Sequence, residues 1–191
     1  MPSSADNPKG FRLLPDVLDR IGTATPDRIY ASVPRSHDMR DGFRDLSCGQ
    51  ILRAVDSLAL WILERHGKSE IFETLAYVGI SDLRYAIVFF AAVKCGFKVL
   101  FISPRNALHQ NVSLLEQTEC SKLLHSPEFG LLADSIKQAR LEAAVTITDV
   151  IAPLDHWIEK YTKPFPFQKT FEEAANDPLV VLHSSGSTGA N

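Results

Sequence analysis

An α/β fold, with a mainly parallel sheet flanked by helices and preceded by a short hairpin, is what the sequence predicts. Two observations carry this. Short apolar runs alternate with segments of helical periodicity from Thr74 onward, the rhythm of strand–helix–strand crossovers. The run Val99-Leu100-Phe101-Ile102 is apolar without interruption, which suits a strand covered on both faces.

In chain order, Leu13 to Ile21 carries a helical apolar stripe that Gly22 closes, and Ile29 to Val33 reads as a strand. The polar segment Pro34 to Gly42 then turns the chain into a second short strand at Phe43 to Leu46, which makes a hairpin. Ser47 and Gln50 have capping-box spacing ahead of Ile51, Leu52, Val55, Leu58, Ala59, Ile62 and Leu63, a helix ended by Gly67. Thr74 to Val78 is a strand, Ser81 is expected to cap a helix that runs to Cys95 before Gly96, and Phe97 to Ile102 is a central strand. A helix over Leu108 to Gln117 and a strand at Lys122 to His125 follow. Next come a helix from Pro127 to Arg140 with Ser126 as its cap, and a strand at Ala144 to Thr148. Tyr161 to Phe167, rich in proline and aromatic residues, is expected to be a surface excursion before the last strand at Leu179.

Composition narrows the partners. Of the 191 residues 45% are hydrophobic and 23% charged, ordinary for a globular chain, and a net charge of −3 with scattered lysines and arginines leaves no footprint for nucleic acid. The start, MPSSADNPKGFRLLP, has no apolar signal core and little arginine, and the apolar run Ala86 to Val93 is too short to span a bilayer. A soluble cytoplasmic protein is the expectation. Cys48, Cys95 and Cys120 are odd in number and far apart, so they read as buried reduced thiols, and no histidine pair has metal-ligand spacing.

Chemistry concentrates in the last ten residues. The apolar run Leu179-Val180-Val181-Leu182 leads through His183 into Ser184-Ser185-Gly186-Ser187-Thr188-Gly189. Glycines let backbone N–H groups converge and small hydroxyls add donors, so such a turn can cradle a polyphosphate. A Walker loop would place lysine directly after its second glycine, where this chain has Ala190. Composition alone also fits a flexible Ser/Gly tail, although the preceding strand-like run is foreign to a linker. His183 either donates to a phosphate or packs at the strand end. Ser103-Pro104-Arg105-Asn106 follows another strand: Arg105 faces an anion or a neighbouring subdomain, or the segment is a turn in which Pro104 stops the strand and Asn106 caps the next helix.

Three stretches resemble a known family. They are FRDLSCGQILRAVDSLALWI from Phe43 to Ile62, FFAAVKCGFKVLFISPRNALHQNVSLLEQTEC from Phe89 to Cys120, and VVLHSSGSTG from Val180 to Gly189. Together they resemble the adenylate-forming superfamily of acyl-CoA synthetases, luciferases and peptide-synthetase adenylation domains. The likeness is greatest to its fungal peptide-synthetase-like and carboxylate-reductase-like branch. The resemblance implies activation of a carboxylic acid by ATP with Mg2+, giving an acyl adenylate and pyrophosphate. It assigns the grip on the β- and γ-phosphates to Ser184, Ser185, Gly186, Ser187, Thr188 and Gly189.

The family continues after this loop with a variable residue, proline and lysine, whereas Ala190 and Asn191 stand here. Residues 1–191 are therefore expected to form the incomplete N-terminal part of an adenylation domain. The adenine, ribose and acyl-binding segments and the adenylation lysine would lie downstream, so no catalytic residue and no metal ligand is assigned. Charge-assisted hydrogen bonds of about 1.5–3 kcal/mol each, set against an association cost of at least about 4 kcal/mol and loop ordering, leave about millimolar affinity for nucleotide. The expectation is a chain inactive alone that self-associates through exposed apolar surface. A non-catalytic docking module or relic of a synthetase is the alternative. A flavodoxin-like nucleotide binder would need a phosphate loop after the first parallel strand, where Gly79 to Ser81 is poor in glycine and hydroxyls.

Overall fold

The computed structural model describes residues 12–36, 38–140, 147–160 and 163–183. Helix α1, Leu14–Ala24, leads to an antiparallel hairpin of β1, Ile29–Pro34, and β2, Phe43–Ser47, with Val33 opposite Arg44. The chain then runs through α2 (Cys48–His66), β3 (Thr74–Val78), α3 (Arg84–Lys94), β4 (Lys98–Phe101), α4 (Leu108–Gln117) and β5 (Lys122–His125). After it come α5 (Gly130–Ala139), β6 (Ile147–Val150), α6 (Leu154–Glu159), α7 (Phe171–Ala174) and β7 (Val180–Val181). The last five strands form one parallel sheet in the order β6-β5-β3-β4-β7.

Side chains alternate across these strands and fill two cores. Leu75, Tyr77, Val99 and Leu124 face α2, α3 and α6, while Ala76, Val78, Leu100 and Leu123 face α4 and α5. Covering both faces explains the uninterrupted apolar run of β4, which lies inside the sheet between β3 and β7. The middle strand is β3, and all five of its residues are buried.

Several local expectations are corrected. Gly22 does not end α1, which continues to Ala24; a Cβ there would lie 2.7 Å from Leu52 Cβ, so the glycine lets α1 approach α2. Ser81 caps nothing: α3 starts at Arg84, whose N–H donates to the Asp82 carboxylate at 2.9 Å. Asp82 is one residue closer to the first turn, and its charge makes it the stronger acceptor. Ser126 fails similarly, because Pro127–Phe129 form a 3-10 turn, α5 begins only at Gly130, and the Ser126 hydroxyl is buried without a hydrogen-bond partner. β6 starts at Ile147, and of the expected strand residues 144–146 lie outside the described residues. The Ser47–Gln50 box and the Gly67 stop of α2 are present, Gly67 having φ +75°.

Of the expected surface excursion, residues 161–162 lie outside the described ones, Lys163, Pro164 and Pro166 are exposed, and Phe165 and Phe167 are tied to the helices. Lys94, fully buried on α3, donates to Asp56 of α2 at 2.7 Å, to Asp19 of α1, and to the Phe165 carbonyl at 2.9 Å. Asp19 in turn accepts from the Phe167 N–H at 2.7 Å. One buried cation thus ties two helices and the excursion to α3.

Candidate nucleotide-phosphate site

All five strands of the parallel sheet end on one rim, where ligands of open α/β sheets bind. Two loops of that rim are held by their own hydrogen bonds. After β3, the Gly79 N–H donates to the Tyr85 hydroxyl at 3.2 Å, and that hydroxyl donates to the Gly79 carbonyl at 3.1 Å. The Arg84 guanidinium, 2% exposed as a residue, lies on the Asp82 carboxylate at 2.9 Å. In this first loop the Gly79 N–H and the Arg84 guanidinium are already engaged by protein, which disfavours flavodoxin-like binding.

After β4, Ser103 to Asn106 is a stitched turn. The Ser103 hydroxyl accepts from the Arg105 N–H at 3.2 Å, and the Asn106 N–H donates to the Ser103 carbonyl at 3.2 Å. Asn106 is not the helix cap; its side-chain amide donates to Asn111 at 3.0 Å, and the Ala107 N–H at the start of α4 is taken by the Gln110 side chain. Arg105 remains exposed.

β7 carries the approach to the phosphate-loop candidate. It pairs with β4 in parallel, Val99 opposite Val180 and Leu100 opposite Val181. Two residues on, the His183 Nε2–H donates to the Phe101 carbonyl at 3.2 Å, which fixes that tautomer and puts the imidazole at the strand end. Phe101 packs with Tyr85 at 5.1 Å between ring centroids, and Tyr85 with Tyr77 at 4.9 Å. An aromatic cluster therefore links the loop after β3, the end of β4 and the end of β7. The sequence concealed this, since Tyr77 and Phe101 become neighbours only through strand register. Ser184, Ser185, Gly186, Ser187, Thr188 and Gly189 lie outside the described residues.

The donor set of 184–189, hydroxyls and glycine N–H groups with no carboxylate among them, fits the oxygens of a polyphosphate. It offers no anionic ligand for Mg2+, and among the described residues no group of three or more His, Cys, Asp or Glu could hold a metal ion. Thiol chemistry is remote: all three cysteines are buried, and burial pushes the Cys95 thiol up to about 12 and raises that of Cys120.

Known proteins share this pattern. The AMP-binding enzyme family matches residues 18–191. A carboxylic acid reductase of Neurospora crassa is 36% identical over 191 residues, covering 99% of this chain and 18% of the reductase. An isocyanide synthase–NRPS hybrid of Aspergillus fumigatus is 30% identical over 188 residues, covering 98% of this chain and 12% of the hybrid. The chain thus spans less than a fifth of either relative. Among solved structures, the o-succinylbenzoate CoA synthetase of Bacillus subtilis with its acyl-adenylate intermediate superposes with a TM-score of 0.61 at 16% identity, over 92% of this chain and 40% of that one. The same enzyme with ATP and magnesium ion gives 0.57 at 15% identity, over 78% and 35%. At such identities these structures establish the fold. Among the described residues no helix is long and apolar enough to cross a membrane.

Proposed function

The chain belongs to the AMP-binding enzyme family, and from that premise we propose that Ser184, Ser185, Gly186, Ser187, Thr188 and Gly189 hold the phosphates of ATP in a carboxylate-activating reaction. The observation that carries this is the His183–Phe101 hydrogen bond, which anchors the chain at the ligand-binding rim one residue before the loop. When bound, ATP with Mg2+ supplies the α-phosphorus that a carboxylate attacks, with pyrophosphate as leaving group. The chain's own part is to orient the outer phosphates and spread their charge over hydroxyl and backbone donors.

We further propose that residues 1–191 are the N-terminal part of an adenylation domain and do not complete the reaction alone. That the chain covers 18% of the carboxylic acid reductase and 40% of the o-succinylbenzoate CoA synthetase chain supports this. Exposed Leu182 beside the two-residue strand β7 supports pairing of that strand with another copy or partner. The three free thiols suit a reducing compartment such as the cytoplasm.

Loop substitutions test the phosphate reading. Equilibrium dialysis with MgATP should give about millimolar binding, lost in Gly186→Val and Gly189→Val, whose side chains crowd the converging N–H groups. Unchanged MgATP binding in both variants would overturn it.

A further inference from the structure

At the opposite end of the sheet, where β3, β4 and β7 begin, a cavity of about 170 Å³ opens between the start of α1 and α7. Phe72, Phe97, Phe167 and Phe171 line it. An apolar cavity of roughly 150 Å³ suffices to take up benzene, so this one has room for a single aromatic ring.

Two further features mark it as built. Phe72 has φ +56°, a left-handed backbone that a bulky residue adopts only under constraint. Its ring lies 4.8 Å from Lys169 Nζ, so the strained residue forms a wall with a cation on its face. Among the described residues the lining carries two cations and one carboxylate: Lys169 is paired with Asp177 at 2.5 Å, and Arg12 is exposed at the edge of the cavity. A guanidinium fork beside an aromatic slot matches a planar carboxylate attached to a ring.

We propose that this cavity binds a small aromatic monocarboxylate, its ring among the four phenylalanines and its carboxylate on Arg12. The site is separate from the phosphate rim and does not depend on the phosphate-loop reading, since the full length of the strands lies between them.

The test is titration of the 191-residue chain with benzoate, followed by backbone amide NMR, with benzyl alcohol and acetate as matched probes. Benzoate should shift the amides of Val93, Ala174 and Leu179 saturably, benzyl alcohol should bind about tenfold more weakly, and acetate should produce no shift there. Arg12→Ala, at an exposed position and with its unfolding transition checked, should weaken benzoate about tenfold, the scale of one charge-assisted hydrogen bond. Ala174→Leu, with its unfolding transition checked, should block the probe by filling the cavity. Absence of shifts at these residues, equal binding of benzyl alcohol, or an unchanged Arg12→Ala variant would overturn the proposal. So would benzoate binding that appears only after deletion of residues 1–11, since the chain itself would then be the occupant.

Discussion

Two side chains set the conditions under which the fold holds. Lys94 faces two carboxylates and a carbonyl with no exposed side-chain surface. Removing it leaves the buried Asp56 carboxylate and the partly buried Asp19 carboxylate without their cation, a change that costs about 3–5 kcal/mol in comparable buried pairs. Lys94→Met should therefore lower the urea midpoint by that equivalent; a loss under 1 kcal/mol, roughly the worth of a surface pair, would contradict the clamp. His66 acts through pH. Burial holds its imidazole below the ordinary histidine range; Asp149 at 3.4 Å opposes the shift, and Lys122 and Arg65 add to it. The unfolded chain thus binds the proton more readily than the folded one. The stability from neutral His66 is fully present above about pH 6.5 and is lost as pH falls through the lower folded value. Urea midpoints between pH 7.5 and 5.5 should fall in the wild type, and less steeply in His66→Gln. An identical slope in both would show that other groups carry the effect.

Among the secondary-structure elements, caps separate what is local from what is not. Ser47→Ala should cost about 1 kcal/mol, since the Ser47 hydroxyl accepts from the Gln50 N–H. Ser81→Ala should stay within about 0.5 kcal/mol, whereas Asp82→Ala removes the acceptor of both the Arg84 N–H and its guanidinium. Chemical denaturation of the three variants checks that order; a Ser81 effect as large as that of Ser47 would reverse the assignment. The Ser47 box was legible because both partners lie within four residues. Ser81 and Ser126 were misread because a nearby aspartate and a proline-led turn compete for the same helix starts. Helix α7 did have a local signal, Thr170 and Glu173 at capping-box spacing, that the proline-rich stretch before it obscured. The alternation of strands and helices was legible from periodicity, but the order β6-β5-β3-β4-β7 was not, because it depends on contacts between distant segments.

For the whole molecule, the sequence alone motivates the proposal for Ser184 to Gly189, while the contact just before them was not legible: His183 meets Phe101 only because β7 pairs with β4. If the chain supplies only the phosphate-gripping part, the 191 residues should give no carboxylate-dependent ATP–pyrophosphate exchange above background with aryl or alkyl acids. Exchange with any of them would show a complete catalytic site. The most direct test of the central claim is a backbone amide map of the chain titrated with MgATP. The N–H groups of Ser184 to Gly189 should shift saturably with MgATP and with inorganic triphosphate, but not with AMP, which lacks the outer phosphates. Shifts confined to other residues, or a response to AMP equal to that to ATP, would contradict the assignment of this loop to the phosphates.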